Sequence, residues 1–485
     1  MTMDARTRWL ALYVLCLGDL MIVLDGTIVN VALPSIRDDL GFTQTSLAWV
    51  VNAYLLTFGG FLLLGGRLGD LFGHRRLFLV GIALFTFASL ACGVASSQET
   101  LVAARAVQGI GGAVVSAVAL SLLMTLFTEQ ADRAKAMGVF GFVLSGGGVI
   151  GVLAGGILTD LLSWNWIFLV NLPVGVMVYV LSLRLLPTEC GPAASGRVDV
   201  AGAITVTASL MLAVYAIING NETGWGSGET LGLLGTSAAL LAAFLVIEAR
   251  ISSPLMPLGL FRNRNVSTAN VLGMLMAAGL FAYFFFSALY LQLVLEYSPL
   301  EVGLAYLPGT VVWGASSLLL SDRLVMRFGI KTPLLAGLAL MTISLVLLCR
   351  TPVEGNWLID ILPATVAVGI GAGIAFNPIL LAAMSGVAPE QAGLASGVVN
   401  TAFMMGGAVG LAILASLADA RTGDLLTSGL DTAGALNGGY HVAFLVGAVF
   451  LVASAVVGAA LLRVESPQAH AGHDAIGAPA AAEAD

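Results

Sequence analysis

Three ionisable side chains lie where the chain is otherwise apolar: Asp19 and Asp25 within residues 10–32, and Arg105 within residues 101–126. Placing such a group in a bilayer costs roughly 2.5–3.5 kcal/mol on insertion scales, so its presence points to a use. The use this trio suggests is proton handling. Desolvation favours the neutral form of a carboxyl group, and a neighbouring guanidinium favours the ionised form. Moving Arg105 toward or away from Asp25 would therefore load or release a proton. Asp25 falls about seven residues before the end of its run, and Arg105 about five after the start of its own. At about 1.5 Å of rise per residue, antiparallel runs would put both groups ~7–11 Å below one membrane surface. Asp19 falls closer to mid-bilayer, where it either takes part in proton transfer or lines a central cavity and binds substrate. A static structural ion pair is the competing reading.

Positioning these groups requires helices that cross a membrane. The 485 residues are 58% hydrophobic and only 10% charged, with mean hydropathy +0.98. A soluble chain carries about 25% charged residues. Apolar runs long enough to cross ~30 Å of hydrocarbon recur fourteen times, and the first lacks the flanks of a cleaved signal peptide. Lys and Arg provide an independent test, because short cytoplasmic loops collect them. Of 20 such residues, Arg105 is inside a run, Arg37, Arg350 and Arg421 fall on one side, and the other sixteen fall on the opposite side. One missed span would invert every later loop, so the distribution implies fourteen helices with both termini cytoplasmic. The expected fold is an all-α integral membrane protein in the plasma (bacterial inner) membrane, its lipid bilayer the first partner.

The densest charge cluster is Gly65-Gly66-Arg67-Leu68-Gly69-Asp70-Leu71-Phe72-Gly73-His74-Arg75-Arg76, read as a short loop between the second and third spans. Its Arg-Leu, Phe-Gly and terminal basic residue return at 323–331, an offset of 256 residues. Such an echo is expected of two parallel six-helix halves, a plan in which substrate binds between the halves near the midplane. The domains follow: residues 1–188, a first six-helix bundle; 189–265, a connector with two inserted helices; 266–463, a second bundle; and 464–485, a disordered cytoplasmic tail.

Glycines supply packing surfaces. Gly109 and Gly112 in the fourth span, and Gly147, Gly151, Gly155 and Gly156 in the fifth, let helix backbones approach closely and rock. Candidate pocket residues for an apolar or amphipathic ligand are Phe284, Tyr290, Trp313, Phe376, Asn377 and Met404. Other chemistries find no support. Lys135 and Lys331 follow Ala134 and Ile330, so no phosphate-binding Gly-Lys-Ser/Thr occurs. Cys16, Cys92, Cys190 and Cys349 lack disulfide or metal spacing and read as apolar fillers. No enzyme activity, metal, organic cofactor or nucleic-acid partner is expected; the proton is the coupling ion.

These segments resemble the major facilitator superfamily, in its fourteen-span drug:proton antiporter branch of multidrug and antibiotic efflux type. The stretch 65–76 is similar to the family signature between helices 2 and 3. Leu24-Asp25-Gly26-Thr27-Ile28-Val29-Asn30 is similar to its helix 1 motif, and Arg105-Ala106-Val107-Gln108-Gly109 to its helix 4 motif. Ser163-Trp164-Asn165-Trp166 through Asn171-Leu172-Pro173 is also characteristic of the branch. The resemblance implies an interdomain charge lock at Gly66, Arg67, Asp70, Gly73, Arg75 and Arg76, and a proton-transfer role for Arg105. It also implies a monomer that exports small amphipathic compounds by alternating access. Val152 stands where the helix 5 motif usually has proline, and Phe403 and Met404 where the family often has Arg and Gln. Proton-linked uptake of a nutrient on the same scaffold is the alternative.

Overall fold

A computed structural model describes residues 4–127, 129–187, 199–251, 254–385, 387 and 392–463. The start of the expected connector (189–198, with Cys190 and Arg197) and the tail from 464 lie outside the described residues. Every regular element among the described residues is helical.

The first group is α1 (Ala5–Leu40), α2 (Gln44–Phe72), α3 (His74–Gly93), α4 (Gln98–Leu126), α5 (Gln130–Leu161), α6 (Trp166–Leu169) and α7 (Asn171–Leu185). An inserted hairpin follows, α8 (Val200–Thr223) and α9 (Gly228–Arg250). The second group is α10 (Arg264–Leu293), α11 (Pro299–Ser316), α12 (Asp322–Phe328), α13 (Lys331–Leu348), α14 (Leu362–Met384), α15 (Ala392–Thr427) and α16 (Thr432–Leu461). Thirteen helical stretches among the described residues are long and apolar enough to cross a membrane. The 32 residues of α5 are long enough to add a fourteenth.

Local chemistry sets the helix ends. Asp4 accepts the Thr7 amide at 3.2 Å to start α1, and Gly41 in the left-handed region (φ 70°) stops it. Thr43 and Ser46 exchange reciprocal bonds in a capping box before α2. The expected loop at 65–76 is corrected here. Neither a proline nor a left-handed residue occurs within α2 before Gly73, so Gly65, Gly66 and Gly69 are carried within the helix, α2 runs on through Phe72, and only Gly73 (φ 93°) separates it from α3. Gly329 (φ 74°) plays the same part between α12 and α13, so the sequence echo marks equivalent turns. The sixth span is broken at Val170, three residues before Pro173. The break gives α7 a fresh first turn, where proline's missing N–H costs nothing.

The two groups meet along two seams. Glycine-based contacts join α2 to α15, where a Cβ on Gly59 would lie 3.1 Å from that of Met404. They also join α5 to α11, where one on Gly156 would lie 2.7 Å from the Pro299 carbonyl. Gln292 of α10 donates to the Val31 carbonyl of α1 at 2.8 Å. Val31, Gly156, Gln292 and Pro299 all belong to the membrane face opposite the N-terminus, where the halves are closed. The hairpin lies across the α2–α15 seam: α8 packs on both helices, and Asn221 donates to the Ser416 carbonyl at 2.6 Å. Ser209 and Ser237 bond reciprocally to each other's carbonyls at 2.8 Å, tying α9 to α8.

Candidate functional site

Asp25 of α1 and Arg105 of α4 are both buried, at 0% and 1% exposure, and Arg105 Nη1 donates to Asp25 Oδ2. Arg105 Nη1 also reaches Gln108 Oε1 at 2.7 Å, and its Nε donates to the Val50 carbonyl at 2.9 Å. The guanidinium carbon stands 4.4 Å from the Tyr54 ring centroid and 5.6 Å from that of Phe168, within cation–π range. Asp25 Oδ1 accepts from Gln108 Nε2 at 2.7 Å and from Asn171 Nδ2 at 3.0 Å. Both amides contact Ser89 Oγ, at 2.8 and 3.4 Å. Side chains or backbone of α1, α2, α3, α4, α6 and α7 therefore converge on one carboxylate. Asn171, next to Val170 in the right-handed helical region (φ −60°, ψ −25°), turns its amide to this carboxylate.

This arrangement can do more than neutralise a charge. Losing the negative charge of Asp25 would not orphan Arg105, which keeps the Val50 carbonyl, Gln108 Oε1 and two ring faces. Breaking a buried pair by deleting one partner normally costs about 3–5 kcal/mol, because the survivor is left uncompensated. Here Arg105 keeps other partners, so the pair can part without leaving the guanidinium bare. Gln108 and Asn171 fall within the motifs quoted above but were given no role there, and Ser89 and Tyr54 were not singled out by sequence reasoning. Their signal was polarity within apolar spans, which is weaker than charge.

Asp19 lies apart from the ion pair, at the different depth expected of it. Asp19 is 2% exposed and accepts from Ser116 Oγ at 2.7 Å, but it makes no contact with Arg105. Its Oδ2 is buried and has no hydrogen-bond partner. Ser116 is eleven residues from Arg105 on α4, three turns along nearly the same face, so the two carboxylates of α1 meet α4 at different depths.

The glycines do what small residues at such spacings do. A Cβ on Gly147 would lie 3.0 Å from Leu20 and Val23, and one on Gly155 would lie 2.7 Å from the Ile28 carbonyl. Gly151 is pressed on Thr27, so α5 is seamed to α1. Gly109 and Gly112 seat α4 against Tyr54 and Phe58 of α2. Gly156 differs, since it packs on the other half.

The lock residues are gathered by one segment. Asp70 faces His74 at 3.3 Å and Arg67 at 3.9 Å, its helical neighbours at i+4 and i−3. Arg75 donates to the Leu183 carbonyl at 2.6 Å, Arg76 is exposed, and Gly66 touches Ala117. The interdomain partner expected for Asp70 is not found among the described residues. The partly exposed carboxylate faces these two basic side chains of its own segment.

Five of the six pocket candidates are half-buried, and three of these build an aromatic wall in the second group. Phe284 stacks on Trp313 at 6.3 Å, and Phe376 meets Phe403 edge-on at 5.6 Å. Phe281, one turn before Phe284, joins the two at 6.3 Å from Phe403. Asn377 adjoins Phe376, and Met404 faces Gly59 at the seam. Tyr290 does not belong to this wall. It is fully buried, and its hydroxyl donates to the Pro352 carbonyl at 2.7 Å, anchoring the segment after α13.

A profile of the Major Facilitator Superfamily matches residues 15–411. The chain belongs to this superfamily. Curated relatives of similar length agree. The puromycin resistance protein of Streptomyces alboniger is 40% identical over 92% of this chain and 90% of its own. The cephamycin export protein of Amycolatopsis lactamdurans is 38% identical over 94% and 93%. Among solved structures, a bacterial homologue of the human lysosomal transporter Spinster aligns with TM-score 0.65 and 16% identity, over 94% of this chain and 97% of that one. The xylose transporter XylE of E. coli aligns with TM-score 0.61 and 13% identity, over 93% and 97%. At those identities the likeness concerns the fold, which is the superfamily's. The chain is thus a membrane transporter rather than an enzyme.

Proposed function

We propose that the protein exports small amphipathic compounds, antibiotics among them, from the cytoplasm in exchange for protons. The observation that carries this reading is the buried Asp25–Arg105 pair with its ring of replaceable donors and acceptors. Export is supported by the names of the relatives, two of which are a resistance protein and an export protein. The aromatic wall around Phe284, Trp313 and Phe376 suits a flat, apolar ligand, and Met404 gives it an adaptable edge. The two halves rock about this central region, and the 65–76 segment acts as the lock that toggles with their movement. The proton is the only coupling species, no organic cofactor or metal takes part, and the monomer is the working unit. Both termini face the cytoplasm, following the sixteen-to-three distribution of Lys and Arg.

Proteoliposomes with an imposed pH gradient and a panel of amphipathic dyes test the proposal. The expected outcome is dye flux opposite to the proton in the parent protein and its loss in Asp25→Asn. Dye moving with the proton would establish uptake instead, the reading that Val152 leaves open. Gradient-driven flux retained by Asp25→Asn would remove the role assigned to that carboxylate.

A further inference from the structure

Gln108, Gly112 and Ser116 follow one another at four-residue spacing along one face of α4, about 6 Å apart. The first holds Asp25 Oδ1 and the last holds Asp19 Oδ1, each at 2.7 Å. Between them, Gly112 leaves the space that the Tyr54 hydroxyl enters, since a Cβ at 112 would stand 3.1 Å from that oxygen. Tyr54 is 4% exposed, and its hydroxyl has no hydrogen-bond partner. Asp19 Oδ2 is likewise buried and unpartnered. The charges that face the phenol are Asp25 and Arg105 on one side and Asp19 on the other. Orphaned buried polar atoms are rare in folded proteins and call for a reason. Here a buried hydroxyl without a hydrogen-bond partner faces Gly112, between the two α4 positions that hold the carboxylates, and one of those carboxylates also has an unpartnered oxygen.

We propose that Tyr54 is a relay residue that passes a proton between Asp19 and Asp25, making the two carboxylates one path along α4. This inference rests on the proton antiport reading above. The step balances without ionising the phenol. Its oxygen takes the proton leaving one carboxyl group while its own proton goes toward the other, so one O–H bond forms as one breaks. The net change is one proton moved between Asp19 and Asp25, with no electron transferred. The hydroxyl makes no hydrogen bond to either carboxylate, so the transfer runs through one intervening water on each side. The role of Gly112 then becomes specific: any side chain there would push the hydroxyl out of line.

Time-resolved infrared spectroscopy on the full chain in lipid nanodiscs, after a rapid drop in pH, tests the relay. The carboxyl stretching bands of Asp19 and Asp25 are assigned with Asp19→Asn and Asp25→Asn. Tyr54→Phe keeps the ring beside Arg105 and removes only the hydroxyl. In that variant the later carboxyl band is expected to rise at least about tenfold more slowly, with the final amplitudes of both bands unchanged. Unaltered timing would overturn the relay. Loss of amplitude together with timing would mark Tyr54 as structural and overturn it equally. If neither carboxyl group of the parent protein changes protonation, the antiport reading falls as well. If both do, that reading stands whatever Tyr54→Phe shows.

Discussion

Asp25 has three side-chain donors, from Arg105, Gln108 and Asn171, and no exposure to solvent. That combination separates two substitutions that look similar on paper. Asp25→Asn preserves shape and one acceptor oxygen, so Arg105 keeps a neutral partner. Asp25→Ala removes both carboxylate oxygens, leaving Arg105 only the Val50 carbonyl, Gln108 Oε1 and the ring faces, and leaving the Gln108 and Asn171 amides only Ser89. The alanine variant is expected to lose about 3–5 kcal/mol of stability and the asparagine variant clearly less. Thermal unfolding in detergent, followed by intrinsic fluorescence, would check this. Equal losses would mean that Arg105 does not depend on the carboxylate for its burial.

Helix pairs carry the next level of specificity, through where each glycine looks. On α5, Gly155 abuts the Ile28 carbonyl of α1, a backbone atom that cannot step aside, whereas a Cβ on Gly148 would meet nothing within 4 Å. Gly155→Ala is therefore expected to pry the two helices apart, costing about 1–3 kcal/mol and most of the transport rate. Gly148→Ala is expected to gain about 0.5–1 kcal/mol from helix propensity with transport preserved. Measuring melting temperature and dye flux for both decides the matter, and similar behaviour would contradict the packing assigned to this helix. The same logic explains why α2 outruns its expected end. With no proline or left-handed residue in α2 before Gly73, the helix continues, and Asp70 faces Arg67 within α2 and His74 across the Gly73 turn.

For the molecule as a whole, closure at the face opposite the N-terminus rests on α5 against α11 and on Gln292 reaching Val31. Rocking of the halves has to undo these contacts. A Cβ at Gly156 would lie 3.1 Å from the Leu300 Cα, close enough for the Cβ–Cβ separation of a disulfide, about 3.5–4.5 Å. The new Cβ also meets the Pro299 carbonyl at 2.7 Å, so Gly156→Cys combined with Leu300→Cys is expected to transport more slowly than the parent when reduced, to cross-link on mild oxidation, and to lose its remaining flux until a reductant is added. Thiol titration alongside the flux assay reads both events. A cross-linked protein that still transports would show that the halves need not separate there. The α8–α9 hairpin, lying across the other seam and tied to Ser416 by Asn221, moves with whichever half it follows.

Membrane embedding makes part of this protein readable from residues alone. Hydrocarbon forbids unpaired backbone groups, so long apolar runs can only be helices, and the cost of burying charge makes Asp19, Asp25 and Arg105 conspicuous at once. The depth match of Asp25 and Arg105 follows from counting residues at a fixed helical rise, which is why their meeting was legible. Which polar side chains would join them was not, because direction around a helix depends on its neighbours and on small breaks such as that at Val170. Only the folded arrangement sends Tyr290 to a structural hydrogen bond and turns Gly156 toward the opposite half. It also sets the Tyr54 hydroxyl against Gly112, between the two α4 positions that hold the carboxylates. Periodicity and cost are properties of the chain in its solvent, whereas convergence is a property of helices packed against one another.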